Sequence, residues 1–244
     1  MTAAATGTAR SPRTADLRSA VWRALGGVQD PELAEPVTEL GFVAHCDVTP
    51  RREAVVRLRL PTYFCAPNFA FLMVADAYDA VAAVPGIGEV TVELLDHFAA
   101  DAINHGVAAR SGFAASFAGE AAGELDDLRA GFLRKAVLAG TDRVCRRMVA
   151  GGAVAARLSG LTLGDAPDDA DTARLRARRR ELGLPAGDGD PLVLDPATGR
   201  AVTAGALPRH LHLARATRVS QDANSGVCRG MLLARYPDGE EATS

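Results

Sequence analysis

The sequence predicts an α+β fold: a small three-stranded sheet covered by two helices, followed by a mostly helical extension. Three observations carry that prediction. Apolar residues recur at helical spacing in two early stretches. Three short runs alternate apolar and polar residues, as half-buried strands do. Their order is helix, strand, strand, helix, strand, and each strand has one apolar face, so both helices belong on the same side of the sheet.

Leu17, Val21, Leu25 and Val28 mark the first helix, with Thr14 or Asp16 able to cap its start. Gly26-Gly27 ends it, because glycine tolerates the left-handed conformation of many C-caps. Asp30-Pro31-Glu32-Leu33 then reads as a turn carrying two carboxylates. From Gly41 to Val48, the residues Phe42, Ala44, Cys46 and Val48 share a face, with His45 and Asp47 opposite. Thr49 to Glu53 is a polar turn, and Ala54, Val56, Leu58 and Leu60 form the next apolar row, giving a hairpin. A loop, 61–68, leads into a second helix marked by Phe69, Leu72, Met73, Ala80 and Val84, which Pro85-Gly86 stops. Val90, Val92 and Leu94 alternate in the third strand.

The domain plan is a disordered tail over 1–13, an α+β domain over 14–96 and an extension over 97–244. Within the extension, a helix is expected over 97–109 and a longer one from Leu125 through Phe132 and Ala136 towards Met148. Ser159 to Asp171 is acidic, contains Pro167 and reads as a linker. Thr172 to Leu182 reads as an arginine-rich helix with Asp171 as its N-cap and a solvated cationic face able to dock an acidic client. Leu192-Val193-Leu194 and Ala201-Val202 suggest a small hairpin, and Val227 to Tyr236 a last helix started by Asn224 or Ser225.

Composition narrows the function. The 244 residues carry 27 basic and 30 acidic side chains, a balance unlike the basic surface that general nucleic-acid binding needs. No run of about twenty apolar residues offers a membrane span, and 1–13 lacks the apolar stretch of a secretion signal. Cys46, Cys65, Cys145 and Cys228 are widely spaced, which argues against a disulfide scaffold and for a reducing, cytoplasmic setting.

Cys65 is the first candidate for chemistry. It stands just before the second helix, whose N-terminal N–H groups favour a thiolate, both a metal ligand and a nucleophile. Thr62 and Tyr63 add hydroxyls, and Asp30 and Glu32 belong to another loop at that end of the sheet. The competing reading is a small buried apolar residue. Cys46 falls on the apolar strand face and Cys145 in a helical run, so both read as core. Cys228 follows Asn224-Ser225-Gly226 at the expected helix start and has a weaker form of the Cys65 argument. A cluster takes about four ligands, usually thiolates. Without closely paired cysteines, the expectation is a transient or dimer-bridged site using Cys65, with Cys228 as a second metal ligand.

Other constellations fare less well. His97, Asp101 and His105 share a helical face, but eight residues rise about 12 Å, too far for one metal. They read as a solvated face. His210 and His212 share a face only on a strand and otherwise read as surface histidines. Gly86-Ile87-Gly88 precedes a strand, whereas the dinucleotide fingerprint follows one.

Taken together, Asp30-Pro31-Glu32-Leu33, Glu39-Leu40-Gly41-Phe42-Val43, Pro61-Thr62-Tyr63 with the cysteine loop, and Val84-Pro85-Gly86-Ile87-Gly88-Glu89-Val90 resemble a known family. It is the PaaD/SufT type of metal–sulfur cluster assembly factor, domain of unknown function fifty-nine. The resemblance covers about 14–96. It implies maturation of iron–sulfur or iron sites in client proteins, by an adaptor or carrier rather than an enzyme. The implied cargo is a transient iron–sulfur cluster or iron, and the implied partners are a client metalloprotein and the cluster assembly machinery. The family's reactive cysteine lies in a Thr-x-x-x-Cys-Pro loop; here Cys65 precedes Ala66-Pro67, one residue earlier. The Asp-Pro-Glu turn carries over without a gap at Asp30 and Glu32. Longer relatives of this layout are encoded beside soluble diiron monooxygenases, which implies such a client. Two other readings stand beside this one: a metal-free assembly chaperone, and a thiol-dependent enzyme using His45 as base.

Overall fold

The computed structural model describes residues 13–119 and 125–237. The expected tail over 1–13 lies outside the described residues except for Arg13. The chain packs as two units. Residues 13–28, 36–119 and 235–237 make up the first, and 29–35 with 125–234 the second.

The first unit holds a sheet in the order β1-β2-β3. Its strands are β1 (Val43–Val48), β2 (Glu53–Arg59) and β3 (Glu89–Leu95). β1 and β2 form the expected antiparallel hairpin, closed by a Thr49 N–H bond to the Glu53 carbonyl (2.9 Å). β2 and β3 run parallel, with Arg59 opposite Leu95. A parallel pair needs a crossover, and helix α2 (Pro67–Ala82) supplies it. The inward row Ala54, Val56, Leu58 and Leu60 is fully buried; each large apolar side chain so placed contributes about 1.5–3 kcal/mol. Helix α1 (Thr14–Leu25) buries Leu17, Val21 and Leu25. It packs on β1 and on α2, and α2 packs on β3, so both helices cover one side of the sheet.

Two details of α1 differ from expectation. Asp16 sits at the third helical position and accepts the Arg13 backbone N–H (3.2 Å), so Arg13 is the capping position. Gly26 ends the helix at φ −63°, so no left-handed residue is needed there. Helices α3 (Ala100–Ala108) and α4 (Gly112–Ser116) complete the unit. α3 starts three residues after His97, so His97, Asp101 and His105 do not share a helical face.

The second unit is built from α5 (Asp126–Ala150), α6 (Ala170–Glu181) and α7 (Leu207–Arg235). Its core joins Val137, Val144, Cys145, Leu163, Leu175, Leu192, Val193 and Leu194. α5 packs on α6 at Gly140, where a Cβ would make ordinary contact with Leu175 Cδ1 at 3.4 Å. Cys145 lies in this core, as its helical register predicted.

Five expectations need correction here. The stretch read as an acidic linker is packed: 163–165 form a 3-10 turn, Leu163 is buried, and Leu161 and Ala166 pack against the core. The α6 cap is Asp169, whose carboxylate accepts the Thr172 N–H (3.0 Å), not Asp171. The expected hairpin is only a bridge between Leu194 and Ala201, with Val202 N–H bonded to the Val193 carbonyl (3.0 Å). The last helix begins at Leu207 rather than near Asn224, so Cys228 is mid-helix and has no helix N-terminus beside it. His210, also on α7, is half-buried rather than a surface residue, and burial pushes its imidazole below its ordinary range.

Arg179 corrects the solvated cationic face. It is fully buried and donates to the carbonyls of Pro191 (2.7 Å) and Leu192 (2.5 Å). These bonds hold the Leu192-Val193-Leu194 segment against α6. Truncation strands both acceptors, and each buried unpaired group costs about 1–3 kcal/mol. Arg179→Ala is therefore expected to lower unfolding stability by roughly 2–4 kcal/mol, and exposed Arg180→Ala by less than about 0.5 kcal/mol. Urea unfolding followed by circular dichroism separates the two; equal small losses would contradict this role.

Candidate functional site

Parallel pairing brings the carboxyl ends of β2 and β3 to one edge of the sheet. The loop after β2 holds Thr62, Tyr63, Phe64 and Cys65; the segment after β3 holds Asp96, His97 and Phe98. Crevices at the carboxyl ends of parallel strands are common ligand sites in α/β sheets.

The Cys65 side chain is half-buried, and its Sγ lies 3.3 Å from Thr62 Oγ1. At the start of α2, the Phe69 N–H is engaged by the Ala66 carbonyl and Asn68 Oδ1 (both 3.0 Å). Thr62 is thus the thiol's partner in the loop, where the sequence pointed to the helix terminus. His97 fixes the loop from the other side. Its Nε2 donates to the Cys65 carbonyl (2.7 Å), while Nδ1 accepts the Ala99 N–H (3.2 Å). That pair of bonds selects the Nε2–H tautomer. Burial pushes His97 below its ordinary range, against the pull of the Cys65 carbonyl, and favours the neutral ring. Both ring nitrogens are occupied, so His97 positions the cysteine loop and is not a base for its thiol. His45, the base of the thiol-enzyme reading, lies on β1 opposite Arg57.

Below this loop, Arg235 donates to the carbonyls of Leu60 (3.1 Å) and Asp96 (2.6 Å), and Tyr236 donates to Asp96 Oδ2 (2.9 Å). Above it stands an aromatic rim. Phe64 is 77% exposed, Phe98 49% and Tyr63 44%. Their rings lie 5.0–6.3 Å apart between centroids, within the range of favourable aromatic pairs. The Phe98 N–H bonds to the Tyr63 carbonyl (3.2 Å), which locks the rim's two segments together. His97, Phe64 and Phe98 were not read from the sequence as parts of this site. The available signal was the strand–helix–strand order, which implies parallel pairing and hence a shared edge.

Asp30 and Glu32 belong to the second unit. Asp30 Oδ1 accepts the N–H groups of Glu32 (2.9 Å) and Leu33 (2.8 Å), the aspartate turn that shapes Asp-Pro-Glu. Residues of α7 hold that turn: Gln221 donates to the Glu32 carbonyl (3.1 Å), Asn224 to Glu32 Oε1 (3.4 Å), and Arg229 pairs with Glu35. Of the proposed site residues, the structure brings together Thr62 and Cys65, and sets Asp30 and Glu32 on α7. Cys228 lies on the same helix, half-buried. Among the described residues, no three histidine, cysteine or acidic side chains converge as a metal site.

The matched sequence coincides with this architecture. Residues 18–94 fit the profile of the family described as "Iron-sulfur cluster assembly protein". The likeness is confined to this segment, about a third of the chain. The segment runs from within α1 to near the end of β3 and includes the Asp-Pro-Glu turn and the Cys65 loop. The iron-sulfur cluster carrier protein of Mycobacterium leprae (strain TN) is 40% identical over 80 residues, 33% of this chain and 20% of that protein. Its counterpart in Mycobacterium bovis is 39% identical over 82 residues, 34% of this chain and 21% of that protein. The chain thus spans about a fifth of the length of these relatives. The crystal structure of domain of unknown function DUF59 from Bacillus anthracis matches at TM-score 0.32 and 23% identity, over 34% of this chain and 76% of that chain. No helix among the described residues is long and apolar enough to cross a membrane.

Two expectations follow from this geometry. Burial pushes the Cys145 thiol up to about 12, and Cys46 is also raised by burial. Alkylation of the native protein near neutral pH is expected to modify Cys65 well before either, as mapped by peptide mass spectrometry; comparable labelling of Cys145 would contradict the site.

The second concerns Asp30, which burial raises from 3.8 to about 6 despite its two N–H donors. A carboxyl raised in the folded state costs stability as pH climbs from about 4 through 6. An asparagine side chain keeps the accepting oxygen without the charge. Asp30→Asn is therefore expected to be more stable than wild type by roughly 1–3 kcal/mol at about pH 7.5, with the gain fading near pH 4. Urea unfolding at both pH values checks this, and a destabilised variant at the higher pH would contradict it.

Proposed function

We propose that this protein is an accessory carrier in iron–sulfur or iron-site maturation, with Cys65 as the thiol that takes the cargo transiently. The carrying observation is the Cys65 loop itself: a half-buried thiol paired with Thr62, inside a cluster assembly domain, at the carboxyl edge of a parallel strand pair. Exchange of one ligand at a time suits a site with a single thiol. The remaining ligands come from a donor, a client or a second copy of the chain. The named carrier relatives support this reading, as does a site built for positioning rather than acid–base turnover.

In this proposal, 14–96 handles the cargo and 97–244 recognises the client. Asp30 and Glu32 shape the Asp-Pro-Glu turn. The client is a metalloprotein, with a soluble diiron monooxygenase as the specific candidate and the cytoplasm as the compartment. A cluster exchanged at Cys65 requires metal–sulfur approach to about 2.3 Å, so the partner seats on Tyr63, Phe64 and Phe98. That same rim favours a second reading, a metal-free assembly chaperone, because it offers exposed aromatic surface without a ligand set.

Anaerobic reconstitution with ferrous iron and sulfide separates the two. Wild type is expected to hold iron and sulfide with visible absorption, and Cys65→Ser to lose most of both while remaining folded. Metal-free protein in both cases would overturn the carrier and leave the chaperone reading.

A further inference from the structure

Three arginines of α6 are committed to structure. Arg176 donates to the carbonyls of Ala186 and Leu163 (both 2.9 Å), Arg178 pairs with Glu181, and Arg179 is buried. Open positive charge lies instead between α5 and α7. Arg146, Leu211, His212 and Arg215 line a cleft of about 520 Å³ over the Asp142 carboxylate. Arg143, Arg146 and Arg147 line a second cleft of about 350 Å³ with Arg218 and Asp222. Arg146 belongs to both, so the two form one elongated groove.

Charge bookkeeping along this groove leaves a surplus. Asp142 is buried and holds Arg218 (2.6 Å). Asp222 takes Arg143 (2.8 Å) and the other side of Arg218 (2.5 Å). Asp169 and Asp171 take Arg147 (2.8 and 3.1 Å). Every aspartate of the groove is thereby engaged. Among the described residues, neither Arg146 nor Arg215 has a hydrogen bond or ion pair, and both are exposed. Like charges three and four residues apart destabilise a helix, and α5 stacks Arg143, Arg146 and Arg147 in that spacing. An incoming anion offsets that repulsion.

Guanidinium forks bind carboxylates in bidentate fashion. The groove's length, its two open guanidinium groups and the apolar Leu211 suit a run of acidic side chains better than one small anion. We infer that the groove between α5 and α7 docks an acidic segment of a partner protein, with Arg146 and Arg215 receiving its carboxylates. This inference does not depend on cargo binding at Cys65.

The test uses the full chain and a fluorescein-labelled hexaglutamate peptide, read by anisotropy at low ionic strength. Wild type is expected to bind, and Arg146→Glu/Arg215→Glu to bind at least about tenfold more weakly. Arg51→Glu/Arg157→Glu makes the same charge change at exposed positions elsewhere and is expected to stay within about twofold. Inorganic phosphate at matched charge is expected to leave the peptide bound. Circular dichroism checks folding, and Arg146→Ala/Arg215→Ala replaces the reversal pair if that pair misfolds. No binding by wild type, equal losses in both charge-reversed pairs, or full displacement by phosphate would each overturn the inference.

Discussion

The parallel pairing of β2 with β3 is the constraint on which the rest of the first unit depends. With Arg59 opposite Leu95, the chain leaves both strands at the same edge. The crossover then has to begin there, and its opening loop carries Thr62 and Cys65. The segment after β3 arrives beside it and supplies His97 and Phe98. The His97 bond to the Cys65 carbonyl and the Arg235 bonds to the Leu60 and Asp96 carbonyls stitch the two exits together. A thiol on a loop is ordinarily mobile; here its backbone is held from a neighbouring strand while its side chain stays reachable.

The second unit solves a different problem. Its segment from Leu192 to Leu194 is apolar and buried but has little sheet to satisfy its backbone. Arg179 supplies the missing donors from within the core, at the cost of burying a charge that burial lowers to about 10. The same unit also holds the Asp-Pro-Glu turn through Gln221, Asn224 and Arg229. A turn within the matched segment 18–94 is therefore supported by residues outside it. This connection gives the extension a structural role beyond any role in recognising a client.

The first unit was largely legible because its signals are local. Alternation in 54–60 and helical spacing in 17–25 each declare one buried face, and the sheet obeys both. The cysteine loop was legible by position and family resemblance. Thr62, three residues away in the same loop, was legible with it; His97, 32 residues away, was not, since it reaches Cys65 only through tertiary structure. The extension was read less well for physical reasons. Asn224-Ser225-Gly226 looks like a helix start, yet it lies inside a 29-residue helix, and the buried positions between its end leucines, Ala214, Gln221 and Ser225, are small or polar. The acidic stretch around Pro167 looks like a linker, yet buried Leu163 and Leu161 anchor it. Arg179 looks like surface charge, because sequence alone does not show which carbonyls lack donors.

The central claim is that Cys65 passes cargo on as well as holding it. The direct measurement is anaerobic cluster transfer from the loaded protein to an apo ferredoxin, followed by the acceptor's circular dichroism. A Phe64→Ala/Phe98→Ala variant, with its thiol intact, serves as the comparison. The account predicts transfer from wild type and, in the rim variant, equal loading with transfer slowed by about tenfold, because the partner's seat is lost. Equal transfer rates would contradict the assignment of the rim, and a loaded wild type that never delivers its cluster would contradict the carrier itself.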